Sequence, residues 1–307
     1  MRVAVTGATG VVGAFVVAEL AAQGHEVVAW RRSAADPASL RADVTWVEGA
    51  LGDAPSSRAL VERADALVHA AFAHVPGRYR GGEGDDVDGF LRANLQGSLT
   101  LFDAARAAEV DRVVLLSTRA VYGPRLAGRP LDERHPLRPD TLYGAHKAAL
   151  EAIVCGWGKA AGLGWCSLRS TGVFGLRAPF SRSKWAEVVD ACRRGVALSP
   201  RGGTEVFGPD LARAVRLLLT APVGAVGGEA FNCSDVFVTH RAVSRLAGGP
   251  LAPASTGPAG LMMTDKLQDL GWRPSGWPAV AATVEALVAG LEGEARAPPG
   301  QGTEPRR

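Results

Sequence analysis

Arg2-Val3-Ala4-Val5-Thr6-Gly7-Ala8-Thr9-Gly10-Val11-Val12-Gly13 decides the fold. A short apolar run ends in three spaced glycines, and Val11 to Leu20 then reads as a helix. Gly7 permits a tight turn out of the strand, Gly10 lets the backbone approach a pyrophosphate, and Gly13 lets helix and strand pack closely. Thr9, Val11 and Val12 complete the turn and the first helical residues, whose exposed N–H groups and positive dipole end suit phosphate. Any tight strand-to-helix turn favours glycine. It is the strand–turn–helix order that points to a dinucleotide.

Outward from this turn the chain alternates. His25 to Trp30, Val44 to Glu48, Ala66 to His69, Arg112 to Leu116 and Trp165 to Leu168 are short apolar runs, as strands buried on both faces of a parallel sheet require. Helical patterns fill the gaps at Ser57 to Arg63, Phe90 to Ala108 and Thr141 to Ala161. The pattern predicts an α/β fold, a Rossmann-type doubly wound parallel sheet over 1–170, to which 205–235 returns. Residues 171–204 and 236–291 are expected to form a small C-terminal substrate-binding lobe. Within it a helix is expected over Arg182 to Arg194, and Pro209 to Leu219 and Glu229 to Cys233 read as a returning helix and strand. From Glu292 to Arg307, Pro, Gly, Arg and Glu dominate, the composition of a disordered tail. The Gly- and Asp-rich stretch Ala73 to Gly89 follows the carboxyl end of a strand, so it reads equally as a lid or as a solvated loop.

Composition narrows the function. The net charge of +3 is small and dispersed, which argues against nucleic acid. No stretch is apolar for long enough to cross a bilayer. Met1 leads straight into the first strand and leaves no room for a signal peptide, so a cytoplasmic protein is expected. Cys155, Cys166, Cys192 and Cys233 show no paired spacing and read as small buried hydrophobes, and the six histidines form no metal pattern.

Tyr143 and Lys147 stand four apart in a helical pattern, on one face. A phenol has a pKa of about 10, and an ammonium one turn away lowers it by stabilising the phenolate. The pair suits proton transfer at an alcohol or carbonyl oxygen. Ser117-Thr118 emerges at the sheet edge that carries the glycine turn, where Thr118 can hold a substrate oxygen against Tyr143.

With these pieces, the chain resembles the extended short-chain dehydrogenase/reductase family, also called the NAD-dependent epimerase/dehydratase family. The matching stretches are Thr6 to Gly13, Val68-His-Ala-Ala71, Ala93-Asn94-Leu95, Leu116 to Gly123, Glu133 to Pro136 leading to Tyr143 and Lys147, Arg169 to Gly175, and Asp265 to Leu267 with Leu270-Gly-Trp272. The resemblance implies a bound nicotinamide cofactor, Tyr143 as acid/base, Lys147 on the tyrosine and the ribose hydroxyls, and Thr118 as third catalytic member. It further implies Asn94 on the cofactor side, Ala70 and Ala71 along the adenosine edge, Leu51 near the adenine, and a homodimer.

The second strand ends Trp30-Arg31-Arg32-Ser33 with no acid to take a ribose 2′-hydroxyl. Arg31 and Arg32 suit a 2′-phosphate instead, so NADP is the expected cofactor, with NAD as the other choice. Departures from the family guide the reaction. Arg119-Ala120 stands where sugar-nucleotide dehydratases carry an Asp-Glu pair. Gly172 stands where relatives that bind nucleotide sugars usually have Asn, and Gly202 to Glu205 has no Arg, although Arg201 is close. These features favour an NADP-dependent reductase or dehydrogenase acting on a small carbonyl or hydroxyl compound. The alternatives are a nucleotide-sugar epimerase with tightly bound NAD and a non-catalytic NADP sensor. Arg177, Arg182 and Lys184 fall in the lobe segment that should face the cofactor, which leaves an anionic substrate open, with a solvated basic face as the preferred reading. His135 and His146 read as surface residues, Asp210 as a helix N-cap, and Phe174 as core or nicotinamide packing.

Overall fold

A computed structural model of the chain describes residues 1–32, 42–75, 78, 81–255 and 261–296. Ten strands are present among them: β1 (Arg2–Thr6), β2 (Glu26–Arg31), β3 (Thr45–Glu48), β4 (Ala66–His69), β5 (Arg112–Thr118), β6 (Gly164–Ser170), β7 (Gly172–Phe174), β8 (Gly202–Phe207), β9 (Ala230–Cys233) and β10 (Val236–Thr239). The helices are α1 (Val11–Ala22), α2 (Ala54–Val61), α3 (Val87–Leu91), α4 (Gly97–Ala107), α5 (Leu142–Ala161), α6 (Ala186–Arg193), α7 (Gly208–Thr220), α8 (Val223–Val226), α9 (His240–Leu246), α10 (Asp265–Asp269) and α11 (Gly276–Arg296).

The main sheet runs β3-β2-β1-β4-β5-β6-β9 with every neighbouring pair parallel. Its central strands are mainly apolar and buried, as coverage of both faces requires, whereas the edge strand β3 has no fully buried residue. Val3 and Val5 pack with Val16, Leu20 and Leu218 from α1 and α7, while Ala4 between them joins Leu60, Leu101 and Val154 from α2, α4 and α5. Strand order reverses at β1 and β4, so the carboxyl ends of β1, β4 and β5 open one crevice, where ligands bind in sheets of this kind. A second sheet, β10-β8-β7, builds the lobe with α6, α9 and α11 around Phe174, Val189, Val280 and Leu287.

Several expected boundaries move. β5 extends past Leu116 to Thr118, carrying both hydroxyls to the sheet edge. The single helix expected over 90–108 is α3, a π-helical turn Arg92–Gln96 and α4. The stretch expected as loop to Gly89 ends at Asp86, whose carboxylate caps α3 at Gly89 N, 2.8 Å away. The helix expected from Arg182 begins at Ala186, after a 3-10 turn Phe180–Arg182. β8 joins the lobe sheet, so the return to the core is made by α7 and β9. The tail expected from Glu292 is helical to Arg296 as the end of α11, and 297–307 lie outside the described residues, as does Ser33.

Asp210 is not an N-cap. It sits fully buried in the first turn of α7, where its carboxylate accepts from Ser275 N (2.6 Å) and Ser275 Oγ (2.7 Å) and pairs with Arg213. Its carbonyl accepts from Trp272 Nε1, which adds a polar tie to the packing of Leu270 and Trp272 against the main core.

Candidate active site

The glycine turn has the expected geometry. Gly7 adopts φ +70, and a Cβ there would lie 2.7 Å from the backbone of Ala70 and Ala71, so only glycine lets β1 and β4 approach this closely. A Cβ on Gly13 would run into the Gly7 carbonyl. Gly10 caps α1 with no side chain, and Val11 and Val12 line the cleft beyond it. That is the cradle a dinucleotide pyrophosphate fits.

Behind the turn runs a buried relay. Thr6 Oγ1 accepts from Ala70 N and Ala71 N and meets His69 Nδ1 at 2.7 Å. His69 Nε2 meets Ser98 Oγ at 2.8 Å, and Ser98 donates onward to the Asn94 carbonyl. Since Ser98 donates to that carbonyl, Nε2 carries the His69 proton and Nδ1 accepts from Thr6. Burial, reinforced by the Lys147 charge, holds His69 well below the usual histidine pKa, so it stays neutral.

Asn94, expected on the cofactor side, turns its side-chain amide toward the loop that follows β4. Its amide accepts from Ala73 N (2.8 Å) and donates to Ala73 O (2.7 Å) and Phe90 O (3.0 Å). Asn94 therefore clamps the start of the Ala73 loop, and with it Phe72. Part of that loop, 76–77 and 79–80, lies outside the described residues. Ala70, Ala71 and Leu51 are half-buried along the same edge. Arg31 and Arg32 are exposed at the end of β2, and Glu48 is in register beside Arg31 at the end of β3.

At the opposite wall, Thr118 ends β5 and caps the 3-10 turn Arg119–Tyr122, accepting from Ala120 N at 3.2 Å. Thr141 caps α5 by accepting from Gly144 N, which puts Tyr143 in the first turn and Lys147 in the second. A Cβ on Gly144 would lie 2.5 Å from the Ala120 carbonyl, so glycine lets α5 settle against the Thr118 segment. Lys147 is buried and donates to the Leu116 carbonyl at 2.8 Å. Burial pushes its pKa down to about 8 against the pull of Glu151 one turn on. Tyr143 is half-buried, its ring 5.0 Å from Phe72.

Sequence reasoning missed two neighbours here. Phe72 stacks on His146 (5.3 Å, 6°) and lies 5.9 Å from the Lys147 ammonium. His146, expected at the surface, is buried, and burial and the Lys147 charge push its pKa down to about 3. His135, also expected outside, is buried, and its Nε2 accepts from Leu126 N. Phe174 belongs to the lobe core, stacked on Trp185 at 4.9 Å.

A cleft of about 560 Å³ joins these parts: Val11 and Val12 on one side, Thr118 and Tyr143 at the base, and the lobe opposite. Arg177, Arg182 and Lys184, for which the sequence prefers a solvated basic face over a cofactor-facing one, line it together with Arg119, and among the described residues its lining includes no carboxylate. Arg177 also reaches across to the Thr9 carbonyl in the glycine turn, at 3.3 Å. Among the described residues no group of three His, Cys, Asp or Glu side chains could hold a metal ion, and no helix is long and apolar enough to cross a membrane.

The family model for the NAD dependent epimerase/dehydratase family matches residues 3–234. A UDP-glucose 4-epimerase from Corynebacterium glutamicum is 29% identical over 213 residues, 68% of this chain and 63% of that protein. The match thus spans less than two thirds of that relative's length. A UDP-glucose 4-epimerase from Lacticaseibacillus casei is 28% identical across 90% of this chain and 92% of its own. Among solved structures, the Thermus thermophilus UDP-glucose 4-epimerase in complex with NAD superposes with a TM-score of 0.76 at 25% identity, covering 94% of this chain and 99% of that one. The glycine cradle, the parallel sheet and the family match agree, and the chain belongs to the NAD-dependent epimerase/dehydratase family.

Proposed function

We propose that this cleft holds NAD on the glycine turn and inverts a carbinol carbon of a nucleotide sugar by reversible oxidation. The observation that carries this reading is that Thr118 and Tyr143 share one cleft with Arg119, Arg177, Arg182 and Lys184, an excess of cationic side chains that, even with Lys184 paired to Glu205 behind the lining, suits a diphosphate-bearing substrate. Gly172 and the missing Arg at 202–205 favour a small carbonyl or hydroxyl compound without a diphosphate, and the cations of the 177–184 segment outweigh them. Full-length likeness to a UDP-glucose 4-epimerase supports the same choice.

A bound nicotinamide supplies hydride exchange, and the chain does the rest. Tyr143 Oη takes the hydroxyl proton as the carbinol is oxidised and returns it on reduction. Thr118 Oγ1, accepting from Ala120 N, keeps its own proton for the substrate oxygen. Lys147, held by the Leu116 carbonyl, favours the phenolate form of Tyr143. Turnover should therefore fall as pH rises through about 8, where Lys147 loses its charge. Folding shifts in the other sense. The unfolded chain keeps this proton up to about 10.4 while the folded one has released it, so stability rises across that window. A pH–rate profile flat to a pH of about 10 would contradict the role given to Lys147.

Incubating the protein with NAD and UDP-glucose should yield the C4 epimer without net reduced cofactor. A second reading, an NADPH-consuming reductase, is favoured by Arg31 and Arg32 at the end of β2. Glu48 beside Arg31 weighs against it, since a carboxylate repels a 2′-phosphate. If the reductase reading holds, NADPH raises Tm well above NADH, and Arg31→Asp abolishes that difference. Equal stabilisation by both retires it.

A further inference from the structure

Against the strand pair β7–β8 lies an ion pair, between Glu205 of β8 and Lys184 just before α6, that has no part in the proton transfer above. Gly172 and Glu205 are register partners. Glu205 is buried, and its carboxylate accepts from Lys184 Nζ at 2.5 Å. A Cβ on Gly172 would collide with both charged groups, so the missing side chain is what makes room for the pair. Lys184 is one-third exposed and lines the cleft that Tyr143 and Thr118 share.

Its position is fixed from the next residue. Trp185 adopts a left-handed φ of 69, a strained conformation for a bulky residue, and its ring is locked against Phe174, which in turn meets Phe207 at 5.3 Å. The backbone next to Lys184 is thereby fixed, and the Glu205 carboxylate holds the ammonium. Burial raises the Glu205 pKa and the Lys184 charge lowers it, so the carboxylate depends on this partner for its charge. One residue before Gly172, Thr171 is nine-tenths buried and lines the same cleft, and its Oγ1 has no hydrogen-bond partner within the protein. A buried hydroxyl without a partner is destabilising unless a ligand supplies one.

We infer that Thr171 and Lys184 receive an oxyanion of the substrate, a phosphate or a carboxylate, with Glu205 as the positioning residue that aims the ammonium and Gly172 as the gap that admits it. The inference rests on the proposed function only in placing the substrate in this cleft. Lys184, Arg182 and Ser183 also wall a second cavity of about 580 Å³ with Arg201 and His240, so a ligand gripped at the ammonium has space beyond it.

The test is calorimetry on NAD-loaded protein with UDP, inorganic phosphate, glucuronate and neutral glucose. Wild type should bind at least one oxyanion more tightly than glucose. UDP or phosphate above glucuronate identifies a phosphate, and the reverse identifies a carboxylate. Lys184→Met and Thr171→Val should each weaken that ligand by about tenfold or more, with NAD affinity unchanged as the control for folding. Lys184→Arg should restore most of the loss. Glu205→Gln should weaken the oxyanion less than Lys184→Met does. Oxyanions no better than glucose, or full binding by Lys184→Met, would overturn the inference. If UDP-glucose is not epimerised but oxyanion binding still requires Lys184, the proposed reaction fails and this inference stands. Epimerisation with an unimpaired Lys184→Met reverses that outcome.

Discussion

Tyr143→Phe is expected to lower turnover by about 10²–10⁴-fold while leaving nucleotide affinity within a few-fold of wild type. The substitution removes one oxygen from a half-buried ring and keeps its packing against Phe72. Thr141 still caps α5, and Lys147 still donates to the Leu116 carbonyl, so the fold has no reason to move. What is lost is the only phenol among the described residues lining the cleft, and with it the proton that leaves and rejoins the substrate oxygen. Comparing steady-state rates with nucleotide binding on the same preparation separates the two effects. Turnover within a few-fold of wild type would remove Tyr143 from the chemistry.

Glu151→Gln should produce the largest loss of stability, about 3–5 kcal/mol, or on the order of 10 °C in Tm. Glu151 and Arg169 are both almost fully buried, and the carboxylate accepts from Nε (2.9 and 3.1 Å) and from Nη2 (2.7 Å). Burial alone would pull Arg169 down, but Glu151 and the Tyr122 hydroxyl hold it above its ordinary value. Removing the carboxylate strands a buried guanidinium. The damage spreads, because Arg169 Nη1 donates to Tyr122 Oη, and Tyr122 in turn donates to Asn232 Oδ1, linking β6, the Thr118 turn and β9. Burial pushes the Tyr122 pKa up to about 12, so it remains a donor throughout. Replacing both charges, Glu151→Leu with Arg169→Met, should recover much of the loss, since a well-packed apolar pair can match a buried ion pair. Glu151→Gln should also move the alkaline limb of the rate profile below a pH of about 8, because Glu151 supports the charge on Lys147. A Tm within about 2 °C of wild type would show that the network bears little of the stability.

Much of the main sheet is legible in the sequence because its physics is local. Runs such as Val113 to Leu116 are apolar on both faces, and the glycine spacing at 7, 10 and 13 reports backbone approach directly. Thr118, Tyr143 and Lys147 can be paired in advance because a strand end and one helical turn fix their relation. The lobe resists for the opposite reason. Whether Lys184 faces water or the cleft depends on a left-handed turn at Trp185 and on a gap at Gly172, and neither leaves a periodic trace. Asn94 sits in a π-helical turn, and its bonds to the Ala73 backbone 21 residues away leave no periodic trace in the sequence. His135 and His146 escape a reading of polarity as exposure, because both are buried.

Denaturing the purified protein and identifying the nucleotide it releases tests the central claim most directly. NAD is expected in near one-to-one ratio, retained through purification because each oxidation is followed by its own reversal. A protein that comes away empty and is then stabilised far more by NADPH than by NADH would contradict that claim.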